Sequence, residues 1–588
     1  MSRLFSLSLS CLILPAAFCA DEVEELPPAS RVAADASALS EAAGEAAGPA
    51  VLQGLMTALD SESGDDERIE AAQSLLALEG LPAETALRIG RRAELVVTGV
   101  TGLKQANADA ATRAAVNELL LRVAVDYENG NASKHAARVR ELYRALRTSA
   151  PQTLVALEPV FVRHYFNYNV HLVASESLIT KVVSDARSES GNVADCILGA
   201  WVTGRQVTDS TVTADIRPSS DRVALDLVVH GRTRTNTQGR KSPAIIYSRG
   251  NHTFTIRKQT WFDGETVSAD AAKMNVRMNN RTTGASTDFD DIPLFNTIAR
   301  KIAIRAAARK APEADAIAAQ KLKNRALPKF EEESVGQLDK ANAQYGRIMS
   351  VLNSHGIEPT TFSTRSTDTH LAVSSRTIGA SSLAAPRAPA FATPASGLSL
   401  QIHQSAVNSS LDSLGFKGRM TAEEVVSRIE ERASALLDRE VTIDRSNLDQ
   451  STSFEFNSGD PLRVNFTDGH VIIVLRTGFV QMDRNRIVPP HELKIPLKVE
   501  LDGDVVRLIP PSTETSSIVK LAKPLGVRPS PRAVIQARTV IRELLEKTFQ
   551  GKDIETTAVH HLGEGDGALE LRTTAVQIQD GWLSIGVE

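Results

Sequence analysis

Hydrophobic residues at every second position recur on both sides of one proline-bearing stretch, and this constrains the 588-residue chain more than anything else in it. Val170, Leu172 and Ala174 alternate with polar or small neighbours. So do Val212, Ala214 and Ile216, then Val223, Leu225, Leu227 and Val229, then Phe254 and Ile256, and Val276 and Met278. Successive side chains of a strand point to opposite faces, so this period means antiparallel strands with one buried and one wet face. The segment "TIGASSLAAPRAPAFATPASG" (377–397) carries three prolines and little to bury, and reads as a linker. Beyond it the alternation resumes at Leu398, Leu400 and Ile402, in "PLRVNFTDGHVIIVLRTGFVQ", in "HELKIPLKVELDGDVVRLIP" and in the closing "GALELRTTAVQIQDGWLSIGVE". Each of these last three holds Asp-Gly, the strongest short hairpin signal.

The leading strand of each half runs into a helical pattern. Val170 falls on Leu398, Leu172 on Leu400, Ser177 on Ser405, Ile179 on Val407 and Val183 on Leu411, an offset of 228 (398 against 170). Duplication of a module and chance convergence of amphipathic patterns both account for this. Thr421 with Glu424 forms a capping box for "TAEEVVSRIEERASALLDRE". Pro531 and Gly551 bracket a further helix. In the first half a basic, Ala-rich helix is expected from Pro293 to Arg309, with Pro312 interrupting it and more helix following to Leu352.

The front of the chain is different. Three-to-four spacing at Val116, Leu119, Leu120 and Val123, and again at Val139, Leu142 and Leu146, predicts a helical region over 50–165. Residues 21–49 are acidic and rich in Ala, Pro and Gly, as in a mobile leader. Residues 1–20 have the form of a secretory signal, with Arg3 ahead of an apolar run and small residues before Ala20; an acylated Cys19 is the rival reading. No other stretch approaches the ~18 apolar residues of a membrane span. The expected location is therefore secreted, periplasmic or on the cell envelope. The fold class is α+β: an N-terminal helical region, then two antiparallel-sheet-plus-helix modules at 166–376 and 398–588.

Chemistry is thinly marked. There is no Gly-x-Ser-x-Gly, phosphate loop or dinucleotide fingerprint, so no enzyme activity and no cofactor are expected. Cys196 is the one cysteine beyond the signal region and reads as a buried, inert thiol beside Ile197 and Leu198. His560 and His561, with Glu564 and Asp566, read as an exposed loop rather than a metal site. Asp288, Asp290 and Asp291 read as caps ahead of the basic helix. "HYFNYN" (164–169) reads as a seal at a domain junction. Two basic stretches form the candidate anionic-ligand surface: Arg232, Arg234, Arg240 and Lys241 on a strand, and Arg300, Lys301, Arg305, Arg309 and Lys310 on a helix whose other side shows Ile298 and Ile302. A charge-blunted edge strand plus an ordinary surface helix is the plainer reading. A net charge of −5 and the absence of aromatics from these stretches exclude nucleic acid as the expected partner.

A strand running into Ser-x-x-h-x-x-h-h ("HLVASESLITKVV", "LQIHQSAVNSSL"), followed by antiparallel strands and a long helix, resembles the tubular lipid-binding superfamily that includes the bactericidal/permeability-increasing proteins. The resemblance covers 166–380 and 398–588 and transfers no site residue. It implies a helix wrapped by a twisted sheet around an apolar tunnel, in two tandem modules, and non-enzymatic binding of lipid or another apolar ligand. Tandem cystatin-like or other sheet-on-helix envelope modules share the pattern, so a structural or interaction protein of the envelope, without a cavity, is the alternative expectation.

Overall fold

The computed structural model describes residues 29–126, 165–354, 361–378, 396–437, 452–509 and 554–588, short breaks aside, with a few residues between them. The expected signal and the acylation question at Cys19 lie outside the described residues, as do the helix around Val139 and most of the one after Pro531.

Four helices open the described chain: α1 (Ala29–Leu59), α2 (Asp65–Leu76), α3 (Ala83–Gln105) and α4 (Ala110–Asp126). Residues 29–49 were expected to be mobile, and here the structure corrects the sequence. They form the first part of α1 because Ala36 and Leu39 are buried against Val51, Leu55, Leu75 and Val96 in one core. Gly44, at φ 83°, kinks α1 so that both of its segments reach that core. The Arg92–Asp35 pair, 2.7 Å apart and buried on both sides, ties α3 to α1.

The first half continues with β1 (Val170–Ser175), α5 (Glu176–Val183), β2 (Ala186–Ile197), β3 (Ala200–Arg217), β4 (Val223–Lys241), β5 (Ala244–Phe262), β6 (Val267–Ala269), β7 (Lys273–Arg277) and β8 (Asn280–Thr287). Then come α6 (Phe295–Ser354), β9 (Thr361–Ser366) and β10 (His370–Arg376). The second half holds β11 (Leu398–His403), α7 (Gln404–Asp412), β12 (Gly418–Thr421), α8 (Ala422–Leu437), β13 (Thr452–Phe456), β14 (Leu462–Thr467), β15 (His470–Gln481), β16 (Arg486–Asp502) and β17 (Val505–Ile509). It ends with β18 (Lys523–Pro524), β19 (Ile554–Thr557), β20 (Val559–Leu562), β21 (Leu569–Gln579) and β22 (Trp582–Val587). Architecture is α+β, as the alternation required.

Among the described residues the strands form three antiparallel sheets. Strands β2-β3-β4-β5 make a long sheet of the first half, with β6, β7 and β8 all on β5. Strands β12-β13-β15-β16-β17-β19, with β14 and β18, make the sheet of the second. Between them lies a sheet that belongs to both, in the order β20-β21-β22-β11-β1-β10-β9. Its pairing is symmetric. Strands β1 and β11 run antiparallel with Leu172 opposite Leu400. On one side Val170 faces Ser375 and Ser175 faces His370; on the other Leu398 faces Val587 and His403 faces Trp582. Adding 228 to the β1 numbers and 212 to those of β10 converts one register into the other. The same 212 carries Ser366↔Leu371 onto Ile578↔Leu583. Both halves thus build one pattern, related by a local two-fold axis through Leu172 and Leu400.

Several sequence readings are resolved at this junction. Tyr165 and Phe166 of "HYFNYN" are buried, and Arg376 stacks on the Phe166 ring while donating to its carbonyl. Buried Asn169 donates to the Thr377 carbonyl and to Ser405 Oγ, so it bonds to both halves. The linker does bury residues, contrary to expectation: Leu383, Ala384 and Ala385 are fully enclosed, and Ala385 bridges Asn167. At the Asp-Gly turns, Asp468-Gly469 and Asp580-Gly581 take positive φ at both central residues, as a two-residue hairpin requires. At Asp502-Gly503 only the glycine does. His560 and His561 fall in β20 rather than in a loop.

Helix α6 is one continuous element, not a helix broken at Pro312. Pro312 and Pro328 both sit on its exposed side, where the carbonyls they leave unpaired reach water. At ~1.5 Å per residue its 60 residues span roughly 90 Å.

Candidate functional site

Because α6 crosses one face of the β2–β5 sheet, the residues of that face follow from the strand period. They are odd-numbered on β2 and β4 and even-numbered on β3 and β5, since Val212 pairs with Val229 and Val229 with Ile256. Toward its C-terminal end α6 is clamped to the sheet. Glu331 takes hydrogen bonds from buried Lys258 and from the Ala272 N–H, and Lys258 holds its carboxyl below the ordinary range. Asn342 bonds both backbone groups of Val267, and Tyr345 donates to the Gly264 carbonyl at 2.6 Å with Phe262 and Phe362 edge-on to its ring.

Toward its N-terminal end α6 stands off. The side that looks at the sheet carries alanine at 303, 307, 311, 314 and 318. Side chains this small cannot reach the strands, and a cavity of about 960 Å³ remains between helix and sheet. Its deep end is closed by Val229, Ile256 and Met274, packed with Phe254, Leu322 and Phe330. Its other end lies at the hairpin tips, where Ile197, Val202, Ala244 and Ile246 line it. Threonines and His252 occupy the stretch between.

Along edge strand β2 the cavity is fenced by ion pairs to α6. Arg187 pairs with Glu333 at 3.3 Å, Glu189 with Lys329 at 3.5 Å, and Asp195 with Lys321 and, at 2.8 Å, with Arg325. The Lys321 hydrogen bond holds the Asp195 carboxyl below its ordinary range. Inward charges on an edge strand also block pairing with another chain. Cys196, the next residue, therefore points outward and is exposed, which corrects the expectation of a buried thiol.

The nine candidate cations do not form one surface. Arg232, Arg234 and Arg240 lie on the sheet face turned away from α6, where Arg232 donates to Asn251 and Arg234 pairs with Asp209 at 2.7 Å. Lys241 turns to the cavity mouth and donates to the Leu198 carbonyl at 2.8 Å. On α6, Arg300 is held by Asp290, whose carboxyl this contact drives down to about 2. Asp290 thus anchors an arginine instead of only preceding the helix. Lys310 lines the mouth and pairs with Glu313. Lys301, Arg305 and Arg309 are exposed. Ile298 and Ile302, each 58% exposed, stand on the same outward side as Arg305 and Arg309, not opposite them. The cavity residues were missed by a search for charge and motif. Their signal was the alanine spacing of "AIRAAARKAPEADAIAAQ" and the threonines set between the arginines of "GRTRTNTQ".

The class defined by these features is an α+β chain with a long helix laid over an antiparallel sheet and a hollow between them. No family model matches the chain, and no curated protein matches it. Among solved structures it is similar to a lipopolysaccharide binding protein, at 10% identity over 72% of this chain and 98% of that one, TM-score 0.28. It is also similar to P47 of Clostridium botulinum E1, at 11% identity over 72% and 99%, TM-score 0.22. Superpositions this loose do not bear on what the chain does. Among the described residues no helix is long and apolar enough to cross a membrane.

Proposed function

We propose that the protein is a non-enzymatic carrier or sink for lipid or another elongated apolar ligand, held between α6 and the β2–β5 sheet. One observation carries this: between 303 and 318 the cavity side of α6 is mostly alanine, broken by Lys310 and Asp315, whereas large or bonding side chains hold the helix where it is clamped. A core meant to be solid is filled to crystal-like density; here about 960 Å³ stays open, at the upper end of the ~300–1,000 Å³ typical of ligand sites. An apolar ligand entering it gains roughly 25 cal/mol for each Å² removed from water. Secretion or residence in the cell envelope is part of the same proposal, on the pattern of residues 1–20. The rival, an envelope protein with filled cores, leaves this volume without a role.

Solvent extraction of purified protein followed by mass spectrometry tests the proposal. Wild type is expected to yield stoichiometric lipid, and Ala318→Trp, which fills the hollow from the helix side, to yield under a tenth of it with an unchanged circular dichroism spectrum. Equal lipid in both proteins, or none in either, would contradict it.

A further inference from the structure

The cavity is not uniformly apolar. Along β4, Val229 at the deep end gives way to Thr233, Thr235 and Thr237 and then to Gly239 at the mouth. On β3 the same order reads Val212, then Ser210, Thr208 and Gln206, then Val202. On β5 it reads Ile256 and Phe254, then His252 and Ser248, then Ile246 and Ala244. Since Thr208 is paired with Thr233, and Thr237 with Ser248, these groups form a belt across three strands. Opposite the belt, Asp315 of α6 accepts from Asn280 at 2.7 Å, flanked by Ala314 and Ala318.

The belt is neutral and has hydrogen-bonding capacity to spare. His252 Nδ1 accepts from the Asn279 N–H at 3.2 Å, so the ring proton sits on Nε2 and is aimed at Thr235 Oγ1, 3.3 Å away. Burial lowers the His252 pKa, against a smaller raising pull from Asp315, and so favours the uncharged ring. Thr235 thus accepts one bond, and its own proton is left to point into the hollow. Thr208 and Thr233 share a single bond at 2.9 Å, which also leaves one proton over. Hydroxyls turned toward an apolar enclosure are unfavourable unless something bonds them. The cations near the cavity stand at its rim, most of them engaged with the carboxylates of the β2 fence. A phosphate at belt level would meet Asp315 and no lysine or arginine of the belt itself.

We propose that the belt selects a ligand with an uncharged hydrogen-bonding group, an ester, amide or hydroxyl, placed between two apolar arms. One arm runs toward Phe254 and Phe330, the other toward the hairpin tips. At ~3.3 Å per residue the belt covers roughly 13 Å of β4, the size of an ester-bearing linker rather than of one isolated hydroxyl. This rests on the cavity being the ligand site.

The experiment compares dioleoylglycerol with squalene, a hydrocarbon lacking any polar group, by equilibrium binding to the full chain stripped of lipid. In Thr233→Val/Thr235→Val, shape and strand preference are kept and two donors are lost. Dioleoylglycerol is expected to bind about tenfold more weakly to it than to wild type, and squalene equally or more tightly. Parallel changes for both probes, or none for either, would overturn the belt. In Ala318→Trp both probes are expected to be lost; retention of both would instead overturn the cavity as the site. Should the double variant not fold, the infrared carbonyl band of dioleoylglycerol bound to wild type decides: a shift to lower frequency relative to its position in hexane supports the belt, and an unshifted band overturns it.

Discussion

Gly231 sets the width of the cavity wall at its deep end. A Cβ built there would lie 1.9 Å from the Phe254 ring, which lies flat across the glycine on the cavity face. Gly231→Ala is expected to push that ring into the hollow and to destabilise the protein by about 1–3 kcal/mol in urea unfolding. On an unobstructed strand the same change would stabilise, so the sign is diagnostic. His171, in the shared sheet, supplies a second residue-scale prediction. Burial beside Trp582 lowers its pKa to about 4, with Tyr168 and Arg365 as smaller influences. Because the folded-state value is depressed, the unfolded chain takes up the proton first. Stability is therefore full above about pH 6.5 and falls as pH drops toward 4, by roughly 3 kcal/mol. Unfolding of wild type and His171→Gln at pH 7.5 and 4.5 checks this: the difference between the two proteins should shrink at the lower pH. Neither residue stands out in the sequence. A glycine in a strand and a histidine in an alternating run acquire their roles from neighbours 23 and 411 positions away, at Phe254 and Trp582.

At the scale of elements, α6 and edge strand β2 are the parts that can separate. Their fence is built of partly exposed ion pairs, each worth about 0–1 kcal/mol and screened by salt. Moving from 0.15 M to 1 M salt shortens the Debye length from about 8 Å to about 3 Å. Dissociation of bound lipid is expected to accelerate about fivefold over that range. Asp195→Asn, which removes two of the four pairs, should give part of that acceleration already at low salt and lose about half of the salt dependence; unchanged rates in stopped-flow exchange would rule out this seam as the route. The strands β3, β4 and β5 under α6 were legible from period two, and so was the basic character of α6, but the polar run of β2 shows no such alternation and was not read as a strand. Its continuity was not, because Pro312 reads as a break until both prolines are seen to face solvent. The placement of Ile298 and Ile302 was misread for a related reason: before the cavity side is known, a helix with alanines all round has no obvious inside.

For the whole molecule, the offset of 228 between the leading strands was visible in the sequence, but what it builds was not. The sequence suggested two separate sheets. In the structure the two leading strands pair with each other, and matching hairpins flank them in matching register. Sequence periodicity reports which face of a strand is buried and says nothing about which strand lies beside it, so a sheet shared between halves leaves no local trace. The hollow was hidden likewise, since alanine spacing looks like helix propensity until a sheet stands opposite at a distance. The most direct test of the account asks where a ligand sits. A fatty acyl glycerol bearing a diazirine on its chain, bound to the full chain and photolysed, is expected to label peptides from 303–330 of α6 and from the cavity faces of β3, β4 and β5. Labelling confined to α1–α4, or to the outer sheet face around Arg232 and Arg234, would contradict it.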